Sequence, residues 1–254
     1  MIEIVPIPAF EDNYIWLIRN GTSAAVVDPG DAAPVLDYLQ LNQLRLVAVL
    51  LTHHHKDHTG GAAELQRRLD PLVYGPRREA ISCVTHPVGE GDLIDLSSLE
   101  TSFQVLDVPG HTAGHIAYYG INSLFCGDAL FACGCGRLFE GSAQQMHASL
   151  AKFSALPDDT KVYCAHEYTL ENIRFAKMVE PGNAALIERE HREHIVLSQD
   201  RPTLPSTILL EKMTNPFLRC NEADVISAAS RFAGRPLHEP VDVFAAIRQW
   251  RDQV

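Results

Sequence analysis

Leu46-Val47-Ala48-Val49-Leu50-Leu51-Thr52-His53-His54-His55-Lys56-Asp57-His58-Thr59-Gly60-Gly61 is the stretch that decides how this chain folds. An apolar run of strand length gives way at once to four histidines and an aspartate, then to a glycine pair and the helical stretch Ala62 to Leu69. The cluster therefore lies on a loop at the carboxyl end of a core strand, where open α/β sheets place their ligands. Imidazole and carboxylate are donors to Zn, Fe or Mn, and a short loop can aim several of them at one point. A solvated histidine-rich loop accounts for one or two histidines, but not for four with an aspartate behind an apolar run.

Outward from this loop the same arrangement recurs. Upstream, Ile2 to Ile7, Tyr14 to Ile18 and Ala24 to Val27 read as strands, the last ended by Asp28-Pro29-Gly30. Asp28 suits a turn before Pro-Gly and also stands where it can orient a metal ligand from behind. Ala33 to Leu41 has helical spacing. Downstream, Leu72 to Tyr74, Leu93 to Leu96 and Phe103 to Val108 read as strands, and Arg77 to Val84 as loop with a short helix. Strand after strand ends in a metal-type side chain: His53 and its neighbours, His111, Asp128 after Ser123 to Cys126, and His166 after Val162 to Ala165. Strand ends that share a sheet edge can bring distant residues to one site. Beyond Val179 the pattern turns to helices, at Ala184 to Gln199, Asp224 to Phe232 and Val241 to Arg251, with Arg201 to Pro205 as a rigid connector.

Composition narrows the function. The 254 residues, 46% of them apolar, allow one large domain or one domain with an appendage. No apolar run approaches the roughly 18 residues of a membrane span. Met1-Ile2-Glu3-Ile4 lacks the charged and apolar regions of a secretory signal, so a cytoplasmic protein is expected. The net charge of −11, with no Lys/Arg run, argues against nucleic acid, and an anionic substrate requires positive charge gathered locally. The six cysteines form no Cys-x-x-Cys pair; Cys126 and Cys164, in apolar strand-like runs, read as buried thiols, and Cys133 and Cys135 as small residues of a glycine-rich loop.

Thr52-His53-x-His55-x-Asp57-His58, followed by lone His111, Asp128 and His166, resembles the metallo-β-lactamase superfamily. Further stretches resemble its glyoxalase II (hydroxyacylglutathione hydrolase) family: Asp12-Asn13-Tyr14-Ile15-Trp16, Cys135-Gly136-Arg137-Leu138-Phe139-Glu140-Gly141, Cys164-Ala165-His166-Glu167-Tyr168-Thr169, Glu180-Pro181-Gly182-Asn183, Pro202-Thr203-Leu204-Pro205 and Asn215-Pro216-Phe217. The resemblance implies an α/β (α+β) αββα sandwich over residues 1–170 and a smaller helical glutathione-binding domain over 171–254. It implies two divalent metal ions, zinc first and iron or manganese as alternatives. His53, His55 and His111 would hold one, Asp57, His58 and His166 the other, and Asp128 would bridge them with a hydroxide. Asp57 and Asp128 are the carboxylates it places at the reaction.

The implied reaction is hydrolysis of S-D-lactoylglutathione and related S-2-hydroxyacylglutathiones to the hydroxy acid and glutathione, the second step of methylglyoxal detoxification. Arg137, Phe139, His166, Tyr168, Arg248 and Arg251 are the implied substrate contacts. Phe139 stands where some family members carry Tyr, which removes one hydrogen bond. Spacing alone makes Arg248 and Arg251 a solvated helix face; only the resemblance gives them a carboxylate to bind. His54 and His115 are expected to support the loop or pack rather than ligate. A monomer acting on a small molecule, with no membrane or nucleic-acid partner, is expected. The competing readings are another enzyme of the fold, such as a β-lactamase, a nuclease or a glutathione-persulfide dioxygenase, and a metal-binding module without catalysis.

Overall fold

Continuous buried runs, Ile15 to Ile18 and Ala24 to Val27, place the first strands in the interior of a mixed sheet. The computed structural model describes all 254 residues. Strands β1 (Glu3–Ala9), β2 (Asn13–Asn20) and β3 (Ser23–Val27) pair antiparallel, with Val5 opposite Leu17 and Leu17 opposite Val26. Helix α1 (Ala33–Leu41) then carries the chain across, so that β4 (Arg45–Leu50) runs parallel to β3. After the short turn α2 (Lys56–Thr59) and helix α3 (Ala62–Leu69), β5 (Leu72–Pro76) and β6 (His86–Val88) extend the parallel half. Val49, Leu50 and Leu51 are fully buried, which is why this strand reads as a continuous apolar run. Val35 and Leu39 of α1, with Ala62 and Leu65 of α3, cover one face of the sheet against Leu17, Val26 and Val49. Each large side chain so buried contributes roughly 1.5–3 kcal/mol.

A second, antiparallel sheet follows in the order β7 (Leu93–Leu96), β8 (Thr101–Asp107), β9 (Ile116–Gly120) and β10 (Ser123–Gly127). Two bonds tie it to the end of β4: the Tyr118 hydroxyl donates to the Leu51 carbonyl at 2.6 Å, and the Ile116 amide to the Thr52 carbonyl at 2.9 Å. The expected helix within Arg77 to Val84 is a run of turns instead. The Arg77 amide bonds across to the Val88 carbonyl and only single turns close at Glu79 and Val84, so no helical ladder forms.

Packing groups residues 1–107 with 113–127, and residues 108–112 with 128–254. The second unit holds the ribbon β11 (Leu130–Phe131) and β12 (Gly134–Cys135), α4 (Ala143–Ser154), β13 (Lys161–Cys164), α5 (Thr169–Val179), α6 (Ala184–Leu197), β14 (Ser206–Thr207), α7 (Ile208–Thr214), α8 (Ala223–Ala233) and α9 (Pro240–Arg251). Ser142 caps α4 in a reciprocal box with Gln145. The end of the connector is a short strand, Lys161 pairing with Thr207. Packing thus places 128–166 with the C-terminal helices, a different division from the one expected at residue 170.

Within this unit an ion pair is fully buried. Arg189 of α6 meets Glu211 of α7 at 2.8 Å and donates to Thr214 at 2.6 Å, while Glu211 also accepts from the Cys133 amide at 2.8 Å. All six thiols are buried, and burial pushes Cys133 up to about 12 and Cys135 to about 11, so both remain protonated. Removing one partner of the ion pair strands a charge in the interior. Glu211→Ala is expected to cost roughly 3–5 kcal/mol in urea unfolding, and Glu211→Met with Arg189→Met to recover most of it.

Candidate metal centre and substrate cleft

One buried carboxylate organises the histidine loop. Asp28 ends β3 in the left-handed region (φ 50°). Its Oδ1 accepts from the Thr52 amide at 2.8 Å and its Oδ2 from the Thr52 hydroxyl at 2.7 Å. His58 Nδ1 lies 3.0 Å from Oδ2. Because the Thr52 hydroxyl donates to Asp28, its oxygen is left to accept from His53 Nδ1 at 3.0 Å. Both rings therefore carry their proton on Nδ1, which presents the Nε2 lone pair to a metal, the arrangement typical of metal-binding histidines. His53 Nε2 lies 3.1 Å from His55 Nδ1, and His58 Nε2 lies 3.3 Å from Asp57 Oδ2. Asn13 donates to the same Asp57 oxygen at 3.3 Å. A Cβ at Gly30 would stand 1.9 Å from the Asp57 carbonyl, so only glycine lets the Asp28-Pro29-Gly30 turn pass under the loop.

The other two histidines expected around this loop do not point at its donors. His54 Nδ1 turns to Glu79 at 3.0 Å. His115 is buried and stacks on His53, with centroids 4.6 Å apart.

The second unit carries its own donor set. His111 Nδ1 lies 2.8 Å from the Arg137 carbonyl, which can only accept, so this ring too presents Nε2 unprotonated when neutral. His111 Nε2 faces Asp128 Oδ2 at 3.5 Å, and His166 Nε2 faces Asp128 Oδ1 at 3.4 Å. Lone pairs of a neutral imidazole and a carboxylate repel unless a cation lies between them. Two donors bound tetrahedrally to one ion at about 2.0–2.2 Å stand about 3.3–3.6 Å apart, so the His58–Asp57, His111–Asp128 and His166–Asp128 separations fit a shared metal rather than direct hydrogen bonds. The residues present thus fit divalent metal ions. Gly136 makes the packing possible here, since a Cβ would lie 2.0 Å from the Asp128 carbonyl and 3.0 Å from His111 Nδ1.

A cleft of about 400 Å³ in this unit has His111, Arg137, Phe139, Tyr168, Arg248 and Arg251 in its wall. Tyr168 stacks on His166 at 4.7 Å with the rings nearly parallel, and Phe139 sets its ring edge-on to His111 at 5.3 Å. Arg248 is buried, not on a solvated face: Nη1 donates to the Cys135 carbonyl at 2.8 Å and the guanidinium lies 5.3 Å from the centre of the Phe217 ring. Arg251 lies over Phe175, and burial followed by the Arg248 charge lowers its pKa. Such a cluster of cations is relieved by a bound anion. A larger groove of about 490 Å³ beside α6, walled by Pro202, Leu204 and Leu210, contains no histidine. Sequence reasoning assigned no role to Asn13 or Thr52. Asn13 stood inside the quoted Asp12-Asn13-Tyr14 stretch, but nothing local showed that it reaches Asp57, 44 residues on.

Fold and donors define the class, a metal-binding αββα sandwich, and the family model of the metallo-β-lactamase superfamily matches residues 9–166. The model described as hydroxyacylglutathione hydrolase C-terminus matches residues 167–254. Hydroxyacylglutathione hydrolase of Nitrosomonas europaea is 56% identical over 252 residues, covering 99% of this chain and 96% of the relative. That of Alkalilimnicola ehrlichii is 54% identical and covers both chains completely. Among solved structures, ETHE1 from Myxococcus xanthus has a TM-score of 0.65 at 27% identity, covering 99% of this chain and 98% of its own. TTHA1623, solved in a di-iron-bound form, has a TM-score of 0.59 at 27% identity, covering 85% and 100%. The chain belongs to the hydroxyacylglutathione hydrolase family of the metallo-β-lactamase superfamily.

Asp28→Ala removes the anchor of two imidazoles without removing a proposed ligand. Metal affinity, measured by competition with a chromophoric chelator, is expected to fall roughly 10- to 100-fold.

Proposed function

We propose that the protein hydrolyses the thioester of S-D-lactoylglutathione and related S-2-hydroxyacylglutathiones, releasing the hydroxy acid and glutathione. The observation that carries this reading is the cleft in which three arginines share a wall with His111. Glutathione has two carboxylates and needs such cations, whereas nothing about a non-catalytic metal module calls for them. Full-length relatives named hydroxyacylglutathione hydrolase support the same activity.

In this reading His53, His55 and His111 hold one ion, Asp57, His58 and His166 a second, and Asp128 serves both. Two things support it. The two Asp128 oxygens face different histidines. One structural relative is described as di-iron-bound. Zinc is the first expectation, with iron or manganese suited by the same donors. When bound, such ions supply Lewis acidity at a carbonyl and make hydroxide available near neutral pH.

The remaining work falls to the chain. Arg137, Arg248 and Arg251 receive substrate carboxylate, and the Tyr168 hydroxyl is offered to the peptide of glutathione. The ring stack of Tyr168 on His166 sets its distance from the reacting end. The leaving thiolate is stable enough to depart without a dedicated acid, since thiols ionise near pH 8.5. Water supplies the hydroxyl of the acid and the proton of the thiol. Functionally the chain divides near residue 170, a division supported by the meeting of the two family models at 166 and 167. No helix is long and apolar enough to cross a membrane. The reading takes the protein as a cytoplasmic monomer that binds no nucleic acid, in keeping with its net charge of −11.

Purified protein is expected to cleave S-D-lactoylglutathione, followed by loss of thioester absorbance, and to leave a β-lactam and glutathione persulfide unchanged. Exhaustive chelation is expected to abolish turnover and added Zn to restore it; full turnover by metal-free protein would sink the mechanism. Arg248 is a poor probe of binding because its removal also breaks core contacts. Arg137→Ala with Arg251→Ala is expected to raise KM roughly 10- to 100-fold with little change in kcat, and an unchanged KM would remove these arginines from substrate binding.

A further inference from the structure

At the edge of the cleft one carboxylate already sits where a ligand carboxylate would bind. Asp252 follows directly after α9. Its Oδ1 lies 3.0 Å from Arg248 Nη2 and 3.3 Å from Arg137 Nε, so a single oxygen joins two of the three cleft arginines. Glu171, an acid in the wall itself, stands 3.8 Å from Arg251 Nη2. Three cations are thus set against two internal anions, and the arginines a ligand must reach are partly spent.

From this geometry we infer that Asp252 is a specificity-determining residue, an internal carboxylate that competes with the carboxylate of the substrate for Arg137 and Arg248. The inference rests on the thioester-hydrolase reading above. Its direction follows from how each arginine is held. Arg248 is fixed without Asp252, through the Cys135 carbonyl and the Phe217 ring, so losing the aspartate leaves its guanidinium in place. Arg137 is 60% exposed at its side chain, and Asp252 draws it toward Arg248. An incoming carboxylate can do the same, and must either displace Asp252 or settle beside a like charge. Removing that charge frees one donor on each arginine and adds one unit of positive potential. Asp252 itself is 37% exposed at its side chain, so solvent screens the effect and its size is modest.

The test measures binding of S-methylglutathione, a thioether that cannot be hydrolysed, by calorimetry to native protein, D252N and D252E at low and high salt. D252N is expected to bind about three- to fivefold more tightly, with KM for the thioester falling in parallel and kcat unchanged. The gain should shrink in high salt and vanish for a glutathione thioether whose carboxylates are amidated. D252E, which keeps the charge, should retain the native Kd within about twofold. Unchanged or weaker binding by D252N, with an intact unfolding transition, overturns the competitor role and leaves the hydrolase reading standing. Failure of the native protein both to bind the thioether and to cleave the thioester overturns the two together.

Discussion

The short chain of hydrogen bonds from Asp28 through Thr52 to His53, with His58 on the same carboxylate, is the constraint on which the loop side of the site depends. A metal-binding histidine must be neutral, of one tautomer and held in one orientation. Here a single buried acid meets all three demands for two rings. It does so from the end of β3, the strand beside β4 in the parallel half of the sheet. The acid, the threonine and the first histidine therefore meet because two parallel strands end together. Sheet formation and site formation are the same event at this point in the chain.

That dependence explains what could be read from the sequence. The apolar run ending at Leu51 is a strand by composition, and donors directly after it must lie at its carboxyl end. α1 and α3 were legible with their limits, because their apolar positions fall at helical spacing against one sheet. The expected single sheet edge was too simple. β4 lies in the first sheet, and β8 and β10 in the second. Nothing in a strand's own sequence states which sheet it joins; that is decided by pairing partners such as Val105 and Tyr118.

The side chains that were not legible share one property: their partners are remote. Arg248 occupies a helix position that spacing alone gives to solvent, yet it is buried because the Cys135 carbonyl, 113 residues earlier, and the Phe217 ring lie over it. Thr52 stands at the head of the histidine motif, and its role appears only with Asp28 beside it. Glu79 sits in what reads as an unremarkable loop, and it takes His54 away from the donors and accepts the Gly114 amide at 3.2 Å. Local pattern specifies elements; polar roles are specified by what those elements bring within 3 Å.

The ribbon after Asp128 shows why residues 128–166 pack with the C-terminal helices. Four of its carbonyls are held by side chains from beyond residue 170. Asn215 donates to Phe131 and Gly134, Asn172 to Ala132, and Arg248 to Cys135, while Glu211 accepts from the Cys133 amide. Buried backbone groups left unpaired cost about 1–3 kcal/mol each, so the ribbon cannot keep this path without the helices. Yet the ribbon begins two residues after Asp128, and Phe131 and Cys135 line the cleft. The helices that carry Arg248 and Arg251 in the cleft wall therefore also fix the backbone leading out of Asp128. Arg248 serves the cleft wall and the ribbon at once, so a variant there is bound to disturb both, whereas Arg251 lies over Phe175 and stands clear of the ribbon.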